Sequence, residues 1–428
     1  MRNPYVTGAY VVGRQHYGRR ALIDRLLHGE GRAYWVVGSR RIGKTSLLRE
    51  LERRALEDAD SPFIPLVWDM QGCNSFACLS RYLIDAVGDH PERFEPLQLP
   101  VKMLGSEDAS AFLGQARRRA LQAGRELFLL CDETEVLIDI ARGAPQAMQQ
   151  LHKQLTAGAG LRVVMTSTRQ IYRLHDVCRD WPTSSFLAGF DMSHTLGSLG
   201  QHAAVELIQQ AQEPPEHRVT ADPDTVAAIS EATNNHPLLL QTLCSRLFRE
   251  DGVLAPPDEK HLYVDSILAG FFEHDFRLLT EADRQILLAV HRNPDITPER
   301  LAADANGHSA EMEQRLYNLE GLGYLRRRAD RVAIGNRFLA NWLSMQGQAL
   351  DKLPPLQTSD TAMRKALTRH QPRERNALLA LLNARRGRLV ELEAMRARDF
   401  LAVAPQVLDE IEQMEGEIRD LRSLLRQG

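Results

Sequence analysis

The residues from Gly38 to Thr45 have the types and the spacing to hold a nucleoside triphosphate. They read Gly-x-x-x-x-Gly-Lys-Thr, after a hydrophobic run at 34–37 and before an amphipathic helical pattern at 46–51, which is the context that a P-loop requires. Backbone N–H groups of such a loop bind anionic oxygens, and the start of the helix adds positive charge. Lys44 is expected to reach the β- and γ-phosphates, and Thr45 to ligate Mg²⁺. The predicted phosphate-binding residues are Gly38, Ser39, Arg40, Arg41, Ile42, Gly43, Lys44, Thr45 and Ser46.

Two adjacent carboxylates, Asp132 and Glu133, end an apolar run at 126–133. Successive side chains of a strand point to opposite faces, so the two acids are expected to differ in role. Asp132 would bind Mg²⁺, usually through water, and Glu133 would orient or deprotonate the attacking water. An acidic N-cap for the following helix is the alternative. Beside an intact P-loop, the pair predicts hydrolysis of ATP.

A polar cluster, Thr166 to Arg169, ends a third apolar run at 161–169. The carboxyl ends of parallel strands form the ligand edge of an open α/β sheet. Thr166 or Ser167 is a candidate for holding the attacking water. Arg169 is a candidate for reaching the γ-phosphate, because a guanidinium matches phosphate geometry; its alternative is to cap the strand or pair with a carboxylate. The predicted catalytic residues are Lys44, Glu133 and Arg169.

Two further segments are placed to meet the base of a nucleotide. Val11-Val12-Gly13-Arg14 lies just upstream of the P-loop unit and would form a floor under a base, although a simple turn fits equally well. Asn235-His236-Pro237 opens an apolar helix, with proline near the first helical turn. A helical lid is expected to close over the base there, while a capping or packing role for His236 is equally compatible with the sequence.

The elements that must position these side chains alternate between strand and helix as far as about residue 212. This alternation predicts an α/β fold, in which a P-loop αβα sandwich has a mainly parallel sheet. Around Pro214 and Pro215 the pattern changes to helices only. The predicted strands are 34–37, 63–70, 126–133 and 161–169, with 195–199 as a candidate fifth. The predicted domains are 1–212 (nucleotide binding), 213–277 (helical lid), 278–350 (winged helix) and 351–428 (linker and α-helical tail).

The winged-helix prediction rests on three helical segments at 281–291, 297–305 and 309–322, which a short hairpin pattern follows. Arginines on the hairpin favour DNA binding as one interpretation. A solvated turn on a regulatory winged helix is the alternative, since neither the net charge nor the third helix is basic. The arginines concerned are Arg326, Arg327, Arg328 and Arg331.

The tail from 361 to 428 is polar and has helical spacing throughout. Apolar residues recur every three or four positions from Val407 to Leu425, and a similar stripe runs from Leu378 to Leu392, with Pro405 between them. The pattern predicts a helical hairpin or a coiled-coil contact. The arginines of this tail are interpreted as a solvated face.

Composition narrows the classes of protein that the chain can belong to. The 428 residues are 43% hydrophobic and 25% charged, with a net charge of −3, as in ordinary globular proteins. The N-terminus has no apolar signal-peptide core, and no run is long enough to span a bilayer. The five cysteines lack a zinc-ligand spacing and are interpreted as buried thiols in a reducing compartment. A cytoplasmic protein without a membrane partner is expected.

Taken together, these motifs resemble the STAND class of signal-transduction ATPases, in the AAA+-related branch that includes the archaeal-type ATPase family and neighbours the Orc/Cdc6 proteins. The resemblance covers residues 3 to about 344. It is carried by Val12-Gly13-Arg14, the loop GSRRIGKTSLL, Asp132-Glu133-x-Glu135, Thr168-Arg169, Asn-His-Pro at 235–237 and the predicted winged helix.

The resemblance implies roles for several of these residues. Pro237 would pack near the adenine, Val12 would line its pocket, and Arg169 would sense the γ-phosphate. ATP and Mg²⁺ are the implied ligands. Two departures stand out: Asn235 replaces the usual glycine of the lid motif, and the end of the winged helix lacks the histidine with which some relatives hold ADP.

Members of this class are usually slow ATPase switches that oligomerise when they bind ATP. The first hypothesis is therefore an ATP-dependent switch, homo-oligomeric with ATP, whose tail at 361–428 contacts a separate effector protein, with a bacterial defence or signalling system as one setting. The second is a DNA-associated ATPase that resembles Orc/Cdc6 or transposition-regulator proteins. A pure scaffold, with nucleotide as a structural ligand, is the third.

Overall fold

A computed structural model describes residues 1–99, 108–178, 186, 189–191, 193–294, 296–304, 309–328, 330–347 and 350. Chain contacts divide the molecule into two units, Met1–Leu356 and Gln357–Gly428. The second unit, and with it the predicted helical tail, lies outside the described residues. The strands are β1 (Ala33–Val37), β2 (Phe63–Asp69), β3 (Glu126–Asp132), β4 (Leu161–Ser167), β5 (His194–Thr195), β6 (Leu325–Arg328) and β7 (Arg331–Ile334).

Fifteen α-helices are described in the same ranges. Eight belong to the half of the chain that contains the large sheet: α1 (Arg20–His28), α2 (Lys44–Glu57), α3 (Phe76–Gly88), α4 (Ala109–Gln122), α5 (Leu137–Gly143), α6 (Pro145–Leu155), α7 (Tyr172–Val177) and α8 (Gln201–Ile208). The others are α9 (Pro223–Thr233), α10 (Pro237–Leu247), α11 (Ser266–Leu278), α12 (Glu281–Arg292), α13 (Pro298–Asp304), α14 (Ser309–Gly321) and α15 (Arg337–Gln346).

The large sheet has five parallel strands in the order β2-β3-β4-β1-β5. Strands β1, β3 and β4 are almost entirely buried, as expected for a parallel sheet covered on both faces. One apolar core, with Leu47 and Val164, packs the sheet against α1 and α2. A second, with Trp68 and Phe112, packs its other face against α3 to α6. The predicted αβα sandwich is therefore confirmed.

The fifth strand is shorter than predicted and lies earlier in the chain. It spans only His194–Thr195, not 195–199. Leu196 still donates its N–H to the carbonyl of Val37, but the chain then leaves the sheet at Gly197, where a side chain would come within 3.0 Å of the carbonyl of Gly321. Contact with the C-terminal helices thus ends the strand.

A third apolar core runs from the helices after Gln201 to α15, with Leu240, Phe276 and Trp342 among its buried members. We call α11 to α15 with their hairpin, residues 266–346, the C-terminal module. Its helices α12, α13 and α14 occupy the predicted positions, and β6 and β7 form an antiparallel hairpin after them. Its assignment as a winged helix and the domain boundaries given above remain predictions.

Two of the hairpin arginines are held by the protein's own carboxylates. Arg326 is 2.7 Å from Glu231 of α9, and Arg327 contacts Glu313 and Glu320 of α14 at 2.5 and 3.1 Å. Arg331 is exposed, and the side chain of Arg328 lies outside the described residues. A solvated, internally paired hairpin is thus the better description for Arg326 and Arg327.

The cysteine prediction needs one correction. Cys73 and Cys78 form a disulfide, with their Cα atoms 5.5 Å apart, because the turn after Gly72 brings them together at the start of α3. The other three, Cys131, Cys178 and Cys244, are buried free cysteines as expected. Among the described helices, none has both the length and the apolar character that crossing a membrane requires.

Candidate functional site

The glycine-rich loop joins β1 to α2 at the carboxyl edge of the sheet. Gly38 donates its N–H to the carbonyl of Ser167 on β4, at 3.0 Å. A Cβ at Gly38 would lie 2.8 Å from both Ile42 and the carbonyl oxygen of Leu196, so the fold requires glycine there. Gly43 has a φ of +101°, a conformation that suits glycine, and α2 begins directly after it.

The side chains of this loop divide between its interior and its surface. Ile42 is 1% exposed and anchors the loop in the core below α2. Lys44 is also buried, and its Nζ donates to the carbonyl oxygens of Gly38 and Ser39 at 3.3 and 3.1 Å. Arg41 is exposed with a φ of +58°. The Lys44 ammonium therefore lies within the loop, where it can bind an anion that the loop holds.

Asp132 is the most completely hydrogen-bonded acid of this edge. Thr45 Oγ1 donates to its Oδ2 and Thr166 Oγ1 to its Oδ1, each at 2.5 Å, and the N–H of Glu133 donates to Oδ1 at 3.0 Å. The sheet order makes this possible, because β3 and the P-loop strand β1 both neighbour β4. The paired predictions for Thr45 and Asp132 thus fall on two side chains in direct contact.

A hydroxyl and a carboxylate in contact suit Mg²⁺, which prefers oxygen ligands and usually keeps waters or substrate phosphates in its shell. Among the described residues, no group of three or more His, Cys, Asp or Glu could hold a metal by itself. Thr45 and Asp132 would therefore share the ion with phosphate oxygens of a nucleotide.

Glu133 has a left-handed backbone conformation and a shifted pKa. Its φ is +53°, in the left-handed region, so its side chain leaves the line of the strand. Burial raises its pKa to about 7, with the neighbouring Glu135 adding to the increase, while Lys44 and Arg40 oppose it. A carboxylate that titrates near neutral pH has the property that a general base needs.

Glu135, to which the sequence assigned no role, connects the turn after β3 to the end of β4. Its Oε1 accepts a hydrogen bond from the N–H of Thr168, and Thr134 Oγ1 donates to the carbonyl of Thr166 at 2.9 Å. The Asp-Glu-x-Glu spacing was the only signal for Glu135 in the sequence. The two contacts fix the end of β3 against that of β4, one residue before Arg169.

The hydroxyls at the end of β4, those of Thr166 and Ser167, bond to other residues of the protein. Thr166 donates to Asp132, and Ser167 Oγ accepts from the indole of Trp35 at 2.7 Å. These bonds do not test which residue holds the attacking water, so that role of Thr166 or Ser167 stays a prediction. Arg169 is half-buried at the first residue of a short 3₁₀ turn. Burial raises the pKa of Tyr324 in the C-terminal module, and the charge of Arg169 opposes that increase.

The residues that are predicted to meet the base of the nucleotide, Val11 to Arg14, lie along α2. Ser46 Oγ accepts from the N–H of Val11 at 3.1 Å, and Glu50 accepts from the N–H of Gly13 at 2.8 Å. Glu50 is buried, and although burial opposes it, hydrogen bonds from Arg53 and Arg54 hold its pKa at about 2. Val12 and the exposed Arg14 follow this same path beside the first turns of α2.

The predicted lid segment, Asn235 to Pro237, contacts the C-terminal module. Pro237 is the first residue of α10, as predicted, and Asn235 has a φ of +54°. Asparagine tolerates this left-handed conformation, which explains how it replaces glycine. His236 is 5% exposed, lies 6.0 Å from the ring of Phe271, and makes no capping hydrogen bond. Packing, rather than capping, is its structural role.

Comparison with known proteins bears on the fold. No protein-family model and no curated protein matches the chain. A Walker-type ATPase of Pyrococcus abyssi is similar in structure, with 16% identity and a TM-score of 0.53 over 77% of this chain and 96% of that one. The ORC2 protein of Aeropyrum pernix, in ADPNP-ADP complexes, has 12% identity and a TM-score of 0.43 over 81% and 98%.

The Aeropyrum pernix ORC1 protein in complex with DNA has 14% identity and a TM-score of 0.34, over 79% of this chain and 95% of that one. Of these three likenesses, only the first has a TM-score above 0.5, and it shows that the chain shares the fold of that protein. The parallel sheet and the position of the glycine-rich loop on β1 agree with it.

Proposed function

We propose that the chain binds ATP with Mg²⁺, hydrolyses it slowly, and acts as a molecular switch. The observation that carries this proposal is the contact of Asp132 with Thr45 and Thr166, beside the buried Lys44 and the raised-pKa carboxylate of Glu133. These are the groups that binding and hydrolysis of a triphosphate require, and they meet at one edge of the sheet.

Each residue has a distinct task in this proposal. The loop N–H groups and Lys44 bind the β- and γ-phosphates, with Lys44 exchanging its carbonyl partners for phosphate oxygens. Thr45 and Asp132 would hold Mg²⁺, which would supply positive charge beside the phosphates. Glu133 accepts a proton from the attacking water, and Glu135 fixes the turn that carries Arg169 towards the nucleotide.

A switch fits better than a metabolic enzyme, because the glycine-rich loop at 38–45, called the phosphate loop from here on, packs against the C-terminal module. Ser39 lines one cavity with Asp275 and Tyr324 of that module, so a change in the loop reaches residues far along the chain. In keeping with the resemblance to the STAND class, the proposed output is a change of assembly with ATP and contact with an effector protein through residues 361–428.

In the alternative proposal, the protein binds DNA instead of an effector protein. The helices and hairpin at 281–334 have the layout that favours a winged helix, and Arg331 is exposed on the hairpin. This proposal makes the protein a DNA-associated ATPase of the Orc/Cdc6 kind. Phosphate contacts require binding that falls steeply between 50 and 200 mM salt. DNA affinity that a charge swap at Arg326, Arg327, Arg328 and Arg331 leaves unchanged would exclude the hairpin as the DNA-binding surface.

The test of the ATPase compares three proteins: the wild type, Lys44→Ala and Glu133→Gln. Steady-state phosphate release and equilibrium nucleotide binding are measured together. Glu133→Gln is expected to keep binding and lose about 10²-fold or more in turnover, the usual contribution of a general base. Lys44→Ala is expected to lose both. Wild-type protein without Lys44-dependent nucleotide binding would refute the proposal, and size measurement with ADP, ATP and Glu133→Gln plus ATP tests the switch.

A further inference from the structure

One buried acid of the C-terminal module faces the phosphate loop. Asp275, on α11, is 2% exposed, and its Oδ2 accepts a 2.7 Å hydrogen bond from the hydroxyl of Tyr324, directly before β6. Both residues line a cavity together with Ser39 of the loop. The volume of that cavity is about 10 Å³, at the lower limit for one water, so the loop and the module are in close contact.

The positive charges around Asp275 belong to the phosphate loop. Burial raises the pKa of Asp275 to about 6, and Tyr324, Arg40 and Lys44 oppose that increase. Burial also raises the pKa of Tyr324 and of Glu133, and Arg40 opposes both of these increases. Arg40 thus opposes the pKa increase of both members of the Asp275–Tyr324 pair.

In the ranges that the structure describes, no carboxylate is in contact with the loop cations Arg40 and Lys44. Within the described part of the chain, neither Lys44 nor Arg40 has a carboxylate within ion-pair distance, and Arg40 Nε and Ser39 Oγ are buried without a hydrogen-bond partner. Buried donors without partners are costly. An anion that reaches them gains charge-assisted hydrogen bonds.

We infer that Asp275 and the phosphates of bound ATP compete for the positive charges of Arg40 and Lys44, and that this competition makes the C-terminal module the sensor of the bound nucleotide. The inference rests on the proposed function. A triphosphate brings several negative charges towards an acid that is buried beside the same loop, and like charges in a low dielectric repel. ADP carries less negative charge and disturbs the contact less.

The test removes the charge and keeps the shape. Asparagine at position 275 still accepts the hydrogen bond from Tyr324. Asp275→Asn is expected to bind the non-hydrolysable analogue AMP-PNP, with Mg²⁺, about tenfold more tightly than the wild type, and ADP by less than about threefold. The matched control is Asp283→Asn, a buried acid of the same module that pairs with Arg315 at 3.2 Å. It is expected to leave both affinities unchanged.

The outcomes separate the inference from the proposed function. An unchanged AMP-PNP affinity in Asp275→Asn, with binding still lost in Lys44→Ala, overturns the inference alone. Absence of Lys44-dependent binding in the wild type overturns both.

Hydrogen–deuterium exchange of the wild type gives a second readout that needs no variant at position 275. Peptides covering 266–278 and 319–328 are expected to exchange faster with AMP-PNP than with ADP. Equal exchange with the two nucleotides would overturn the proposed sensing.

Discussion

Two buried acids face the phosphate loop, and the fold treats them in opposite ways. Asp132, at the edge of the sheet, is 5% exposed and accepts from Thr45, Thr166 and the N–H of Glu133. Asp275, in the C-terminal module, is 2% exposed and, among the described residues, accepts only from Tyr324. A carboxylate that accepts from several donors is held in a fixed place. One with a single donor is sensitive to any charge brought near it.

The edge of the sheet around Asp132 should therefore be rigid and intolerant of substitution, and the C-terminal module around Asp275 should be adjustable. The largest expected effect comes from Asp132→Asn, which removes the charge that we propose for holding Mg²⁺. Turnover should fall about 10³-fold, as for loss of a group stabilising the transition state. Steady-state ATP hydrolysis measures it. Asp69→Asn is the control, because Asp69 occupies the matching register on β2 and should leave turnover within about twofold. Loss of less than tenfold in Asp132→Asn would break the comparison.

Gly38→Ala tests how rigid the loop is. The added Cβ would lie 2.8 Å from a backbone carbonyl, that of Leu196, which cannot rotate away. The free energy of unfolding should fall by about 1–3 kcal/mol, as measured by urea denaturation. Gly88→Ala, at the end of α3 with no atom within 4 Å of the new Cβ, should be neutral. Equal stability of the two variants would contradict a rigid loop.

The ionisation of Asp275 should make the free energy of unfolding depend on pH. Its pKa in the folded protein is about 6, above the ordinary value of 3.8. Between these values the folded state holds a proton that the unfolded state has released, so the free energy of unfolding falls as pH rises from about 4 to 6. The amplitude is on the order of 3 kcal/mol. The difference curve between the wild type and Asp275→Asn should contain this step, and identical slopes would count against the buried-acid description.

The smallest expected effect is the pH dependence of turnover. Burial and Glu135 raise the pKa of Glu133 to about 7, and a general base acts only when it is ionised. Turnover should fall as pH drops below about 7, approaching tenfold per pH unit. The residual activity of Glu133→Gln should lack this limb. A wild-type profile that is flat between pH 5.5 and 7 would assign the proton transfer elsewhere.

Sequence patterns predicted the strands and the loop around Asp132 well, because each of these parts is formed by residues that are close together in the sequence. The strand before Gly38, the glycines of the loop and the apolar run that ends at Asp132 each lie within a few residues. Strands β2, β3 and β4 end within two residues of their predicted ends. The direct contact of Thr45 with Asp132 follows once both lie at the carboxyl ends of neighbouring parallel strands.

The second region could not be predicted in this way. Asp275 and Tyr324 are separated by 49 positions and belong to no motif, and their position beside Ser39 depends on how the helices pack. The same holds for the two-residue β5, which ends where the C-terminal helices approach. The partners of Thr166 and Ser167 were also missed, because strand polarity gives the edge but not the hydrogen bonds.

The strand order β2-β3-β4-β1-β5 also has a consequence for biosynthesis. Strand β1 emerges from the ribosome first, yet its sheet partners, β4 and β5, begin at residues 161 and 194. The N–H of Gly38 cannot find the carbonyl of Ser167 until that point, because contacts distant in sequence form only when both segments exist. The nascent chain is therefore expected to acquire its phosphate loop late, with an unpaired apolar strand exposed to chaperones in the meantime.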